Sequence, residues 1–75
     1  MNETLAVFKP GSKVIIGDGI QATVWSVTIL EFHYVTYEVV YWRGEELKTE
    51  QLPEFMVMAA SDCEQMTVQL MEQHG

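Results

Sequence analysis

The stretch from Tyr34 to Trp42 constrains the fold of this chain more than any other segment. Its even-numbered positions mix polar and apolar side chains, whereas every odd-numbered position is apolar. The odd-numbered residues are Val35, Tyr37, Val39 and Tyr41. Because successive side chains of a β-strand point to opposite faces, this alternation predicts a strand whose odd face enters the core.

Turn signals divide the rest of the chain into short β-prone runs. Pro10-Gly11-Ser12 precedes the first run, Gly17-Asp18-Gly19 follows it, and Gly44 separates the central strand from a polar run. Glycine adopts positive φ without a steric penalty, and Pro53 lacks the N–H that a strand ladder needs. A single 3₁₀ turn is expected over 53–55. The predicted strands are 13–16, 21–30, 34–42, 45–52 and 56–58.

The second predicted strand changes its alternation halfway along. Ala22 and Val24 share one parity, whereas Val27 and Ile29 share the other. A β-bulge at Trp25-Ser26 would return both pairs to one face, because a bulge adds one residue and bends the strand. The side chains expected in the core are Val14, Ile16, Val24, Val27, Val39 and Tyr41.

The C-terminal segment 59–75 fits two different secondary structures. Ser61–Glu64 matches a helix capping box, after which Met66 and Leu70 follow at helical spacing. Met66, Val68 and Leu70 also alternate with polar residues, which is the period of a strand. We favour a helix, with an extra strand as the alternative, and expect the segment to dock on the rest of the domain. The docking side chains would be Met66, Leu70 and Met71.

Charge and cysteine content limit the classes of partner and location. The 75 residues include 4 basic and 11 acidic side chains, and the formal net charge of −7 repels nucleic acid and anionic membranes. The single Cys63 cannot form an internal disulfide, and residues 1–13 lack the basic and apolar regions of a signal peptide. We therefore expect a cytoplasmic protein that binds neither nucleic acid nor membranes.

The sequence carries no pattern typical of an active site or a metal site. Cys63 lies between Asp62 and Glu64, whose charges disfavour a reactive thiolate. His33 and His74 are the only imidazoles, and no ligand-like spacing joins them to the cysteine. We expect no enzymatic activity, no cofactor and no metal.

Aromatic residues supply the candidate binding site. Trp25 at the predicted bulge and Tyr34 and Trp42 on the mixed face of the central strand lie outside the predicted core face, and Glu38 is expected to share their face. Aromatic rings attract cations through their π faces, and a carboxylate adds to that attraction. The predicted ligand is a basic or methylated peptide. The alternative is that the tail covers these rings and that they serve packing only.

Two stretches, PGSKVIIGDGIQATVWSV and YEVVYWRGEELKTEQLPEF, resemble the Tudor- and KOW-like branch of the SH3-like small barrels and small prophage-type bacterial proteins. The resemblance covers residues 8–58. It implies a mostly β fold, a five-stranded SH3-like barrel with a 3₁₀ turn before the last strand. The length of 75 residues predicts one domain over 1–75. Residues 59–75 would form a C-terminal extension.

The resemblance also implies function, since such barrels bind peptides, modified side chains or nucleic acid rather than catalyse reactions. The scarcity of lysine and arginine disfavours nucleic-acid binding of the KOW kind. We expect a non-enzymatic protein-interaction module. The alternative is a structural or self-associating component of a phage-derived or other assembly, and so a homo-oligomer.

Overall fold

The computed structural model describes residues 3–31, 34–61 and 63–70. These residues form a mostly β structure with two antiparallel sheets, and a 3₁₀ turn lies at Glu54–Met56. The strands are β1 (Glu3–Phe8), β2 (Lys13–Ile16), β3 (Ile20–Leu30), β4 (Tyr34–Arg43), β5 (Glu46–Pro53), β6 (Val57–Ala59) and β7 (Gln65–Leu70).

The larger sheet contains the five strands that the sequence predicts, in the order β5-β4-β3-β2-β6. Neighbouring strands from β2 to β5 follow one another along the chain, and β6 returns to pair with β2. Within the described residues the edge strands β5 and β6 do not pair with each other. The described residues therefore form an open sheet where a closed barrel was expected.

The predicted turns lie where glycine and proline place them. Gly44, at φ 64°, begins a tight hairpin that is closed by the pair Arg43 and Glu46. Pro53 ends β5, and the 3₁₀ turn begins at Glu54, one residue later than expected. The predicted hairpin and the predicted 3₁₀ turn are both confirmed. Each depends on the local backbone preferences of glycine or proline.

The predicted bulge is present at Trp25. Val24 pairs with Val39, but the next pair joins Ser26 to Glu38, so Trp25 is the extra residue of β3. An extra residue restores the alternation, and the side chains of Val24 and Val27 both turn toward the core. Trp25 is left exposed on the opposite face.

The core lies on the odd face of β4, as predicted. Val14, Ile16, Val24 and Val39 are buried, and Val27 and Tyr41 are half-buried against them. Among the residues whose side chains the structure describes, the buried apolar set is Val7, Val14, Ile16, Ala22, Val24, Val35, Tyr37, Val39 and Val57.

The C-terminal helix prediction is wrong for residues 65–70, which form β7. This strand pairs with β1, an element that the sequence reasoning missed, in the register Glu3↔Leu70 to Phe8↔Gln65. Met66 and Val68 are half-buried against the core while Thr67 and Gln69 are exposed, so the two-residue period prevails. Docking through Met66 is confirmed. Asp62 of the capping box, the Leu70 side chain and Met71 lie outside what the structure describes.

The small sheet is joined to the core by a buried tyrosine. The Phe8 N–H donates a hydrogen bond to Tyr37 Oη at 3.1 Å, and the two ring centroids are 5.4 Å apart. Val7, on the same strand, is 1% exposed. Strand β1 is therefore part of the packed structure rather than an appendage.

Candidate functional site

The candidate site lies on the outer face of β3, β4 and β5, which is turned away from the core. The register places Glu38 beside Ser26 of β3 and Gln51 of β5 on this face. Trp25 joins the same face because it is the extra residue of the bulge, and it is 67% exposed. An exposed indole and a carboxylate thus share this face of the sheet.

Trp25 and Glu38 line one shallow depression, here called the Trp25 depression, with a volume of about 370 Å³. Its wall consists of Trp25, Glu38, Val40, Leu47 and Thr49. Glu38 is half-buried, and Ser26 Oγ donates a long hydrogen bond to its Oε1 at 3.4 Å. The surface is mainly apolar with one acid group, so it suits a side chain that has an aliphatic stem and a cationic head.

A second depression of about 230 Å³, the Trp42 depression, lies beside the first. Val40 is the lining residue that the two depressions share. Lys13 also borders the second depression, and its Nζ donates to Thr23 Oγ1 at 3.0 Å. A cationic ligand is less favoured here because Lys13 already supplies a positive charge. The lining is Lys13, Gln21, Ala22, Thr23, Val40, Tyr41 and Trp42.

The structure brings together two of the four predicted site residues. Trp25 and Glu38 share a depression, Trp42 lies in the neighbouring one, and Tyr34 lines neither. Tyr34 and Trp42 are near opposite ends of β4, and at the usual rise per residue their Cα atoms are roughly 25 Å apart. The three rings therefore do not form the expected cage around one carboxylate within a single chain.

The tail does not cover these rings in the described part of the chain. Trp25 stays 67% and Trp42 66% exposed, although β7 is docked. Met66 and Val68 of that strand pack on the core instead. The packing alternative for the two tryptophans thus finds no support in residues 63–70.

Sequence reasoning missed Val40, Leu47 and Thr49 as site residues. Leu47 is the one large apolar residue near the start of the polar run 45–51, and the hairpin at Gly44 pairs it with Trp42. Counting outward from that glycine would have placed Leu47 and Thr49 opposite Trp42 and Val40. The sequence therefore indicates these residues, but only when the exact register of the hairpin is known.

Other candidate chemistry is sparse. In residues 3–31, 34–61 and 63–70 no group of three His, Cys, Asp or Glu side chains could hold a metal ion. Cys63 is half-buried, with its Sγ 3.8 Å from the carbonyl oxygen of Glu64, and His33 and His74 lie outside the described residues.

The described segments contain no helix with the length and apolar character needed to cross a membrane. Comparisons of this chain with models of protein families, with curated proteins and with solved structures found no match in any of the three.

Proposed function

We propose that this chain is a non-enzymatic module that binds a basic or methylated peptide on the outer face of β3, β4 and β5. The Trp25 depression carries the proposal, because there an exposed indole and the Glu38 carboxylate border the same apolar wall. A lysine or arginine stem would pack on Val40 and Leu47 while its charged head meets the indole and the carboxylate.

The energy of such a contact indicates the kind of ligand. One cation–π contact at an exposed ring contributes about 0.5–1 kcal/mol, and an exposed ion pair contributes about as little. A lone ammonium group would therefore bind weakly. Useful affinity therefore requires a longer basic peptide that makes several contacts on this face, guided by the −7 charge of the chain.

The fold proposal that accompanies this function is an SH3-like barrel over residues 8–58, in one cytoplasmic domain spanning 1–75. Two features support it: the last strand of the larger sheet, β6, returns to pair with the first, β2, and a 3₁₀ turn precedes β6. The open edge between β5 and β6 and the additional sheet of β1 and β7 depart from the pattern.

The peptide proposal predicts different roles for the two exposed tryptophans. In calorimetric titrations with a lysine-rich peptide, Trp25→Ala should weaken binding about two- to fivefold, because one cation–π contact is lost. Glu38→Gln should weaken binding to a similar extent, and added salt should weaken it further. Trp42→Ala is the matched control, because it removes an equally exposed indole that lies farther from Glu38, and it should have the smaller effect.

The same titrations with trimethyl-lysine in the peptide separate a basic from a methylated ligand. Each variant is first compared with wild type by circular dichroism to establish that it is folded. The proposal fails if neither peptide binds at millimolar concentration, or if Trp25→Ala binds both peptides as tightly as wild type does.

Nucleic acid is expected to bind no more tightly than the non-specific level, about 10⁻⁴ M or weaker at physiological salt. The reason is the excess of 11 acidic over 4 basic residues. Fluorescence anisotropy with labelled single- and double-stranded oligonucleotides measures this directly, with a basic peptide carrying the same dye as the positive control. Micromolar affinity for either oligonucleotide would contradict the prediction.

A further inference from the structure

One part of β3 has no hydrogen-bonded strand on one side among the described residues. The pairing of β2 with β3 ends at Thr23, and the last backbone hydrogen bonds on that side join Val24 to Gly11 and Ser12. From Ser26 to Leu30, β3 pairs only with β4 among the described residues. Alternate backbone N–H and C=O groups of this segment, the β3 edge, are thus available to another strand.

The composition of the β3 edge favours strand pairing. Its sequence, Ser-Val-Thr-Ile-Leu, has no charge, proline or glycine, and three of its five residues are β-branched. By contrast, the outer edge strand β5 carries Glu46, Lys48 and Glu50 and ends in Pro53. Charges and proline are the usual protection against edge-to-edge association. The chain protects β5 in this way and leaves the β3 edge unprotected.

We infer that the β3 edge pairs with the same edge of a second copy of this chain. Antiparallel pairing about Thr28 places Ser26 of each copy opposite Leu30 of the other and uses all five residues of the edge. Such a contact has twofold symmetry and is self-complementary, which is the commonest arrangement in homo-oligomers. The two larger sheets would then form one continuous sheet.

The exposed side chains on the outer face of the β3 edge indicate that the partner is a second copy. Thr28 and Leu30 point to this face, since they pair with Thr36 and Tyr34, and Leu30 is 52% exposed. In the paired arrangement, Leu30 of one copy lies opposite Ser26 and next to Trp25 of the other. Two exposed apolar side chains at opposite ends of the edge thereby cover each other across the interface.

Dimerisation and peptide binding should respond to salt in opposite directions. Each copy carries a net charge of −7, whereas the β3 edge itself is uncharged, so salt should strengthen association by screening the repulsion. Salt should weaken the binding of a basic peptide, because it screens the attraction between the positive peptide and the negative chain. Because Leu30 of a second copy would cover Trp25, peptide binding is measured at a protein concentration low enough for the chain to be monomeric. A monomer that binds no peptide would refute the peptide proposal alone, and a chain that binds peptide but stays monomeric at millimolar concentration would refute the dimer alone.

Sedimentation of the full chain from micromolar to millimolar concentration tests the inference. Wild type should show a monomer–dimer equilibrium that shifts toward the dimer with added salt. Thr28→Lys and Thr28→Glu should each weaken dimerisation about tenfold, because like charges then lie opposite each other at the twofold axis. An equimolar mixture of the two variants should restore the dimer, because the charges are then opposite.

Thr67→Lys provides the matched control. It introduces the same charge at an exposed threonine of β7, an uncharged strand of the other sheet, and should leave the dimer unchanged within twofold. Amide hydrogen exchange of wild type supplies a readout without substitution, and protection of residues 26–30 should rise with protein concentration.

The inference is overturned if wild type stays monomeric at millimolar concentration, or if the protection of 26–30 does not change with concentration. It is also overturned if Thr28→Lys, shown to be folded by circular dichroism, dimerises as well as wild type. Equal loss of the dimer in Thr67→Lys would assign the contact to the sheet of β1 and β7 instead.

Discussion

Val39→Ala is expected to lower the free energy of unfolding by about 2 kcal/mol or more. Val39 is 0% exposed at the centre of β4, between β3 and β5, so removing two methyl groups leaves a cavity that its neighbours fill only in part. Domains of this size have a total stability of several kcal/mol, and the loss should be a large fraction of it. Urea denaturation followed by tryptophan fluorescence measures the change.

Val40→Ala is the matched control for this prediction. It is the same substitution one residue later, at a half-buried position on the outer face. Its expected cost is about 1 kcal/mol or less, because less apolar surface is removed from contact. Equal losses in the two variants would mean that the core does not lie on the odd face of β4.

Tyr37→Phe is expected to destabilise the protein by about 1–3 kcal/mol while leaving its volume almost unchanged. The Phe8 N–H donates to Tyr37 Oη, and removal of that oxygen leaves a partly buried donor without its acceptor. Tyr41→Phe is the control, since Tyr41 is half-buried on the same face and its hydroxyl has no hydrogen bond to any described residue. A Tyr37→Phe variant as stable as wild type would contradict the role of this hydrogen bond.

The same pair of variants gives a pH test. Burial raises the pKa of Tyr37 above the ordinary tyrosine value, with a smaller opposing effect of the Phe8 hydrogen bond. The folded state therefore holds the phenol proton more tightly than the unfolded state, and this contribution is complete below about pH 10 and lost as the pH rises through the folded pKa. The stability advantage of wild type over Tyr37→Phe should narrow in that range. Parallel stability curves would contradict this expectation.

The parts of the fold that follow from consecutive residues could be predicted from the sequence. The odd face of β4, the bulge at Trp25 and the hairpin at Gly44 are all present in the structure. Each depends on a two-residue period or on a local backbone preference, so no distant segment is needed to specify it. The five strands of the larger sheet could be predicted from the sequence for the same reason.

The parts that depend on distant segments could not be predicted in the same way. The pattern around Met66 suits a helix and a strand equally, and the presence of β1 as a partner decides between them. Strand β1 was missed because its run from Leu5 to Phe8 is short and gains its strand structure from pairing with β7.

The candidate site was predicted in part for a related reason. Shared parity correctly placed Glu38 and Trp42 on the outer face, but parity carries no information about position along the strand. The separation of Tyr34 from Trp42 follows from the length of β4, and the contribution of Leu47 follows from the hairpin register.

The pairing of β1 with β7 also determines an order of events during synthesis on the ribosome. Strands β2, β3 and β4 each find a partner in the next strand to be made, so hairpins can form while the chain is still growing. Strand β1 is made before all of them, yet its partner is the last described strand. The backbone pairing of β1 must therefore wait until β7 has been made. This long-range closure should be the slow step of folding, because contacts between distant segments form late.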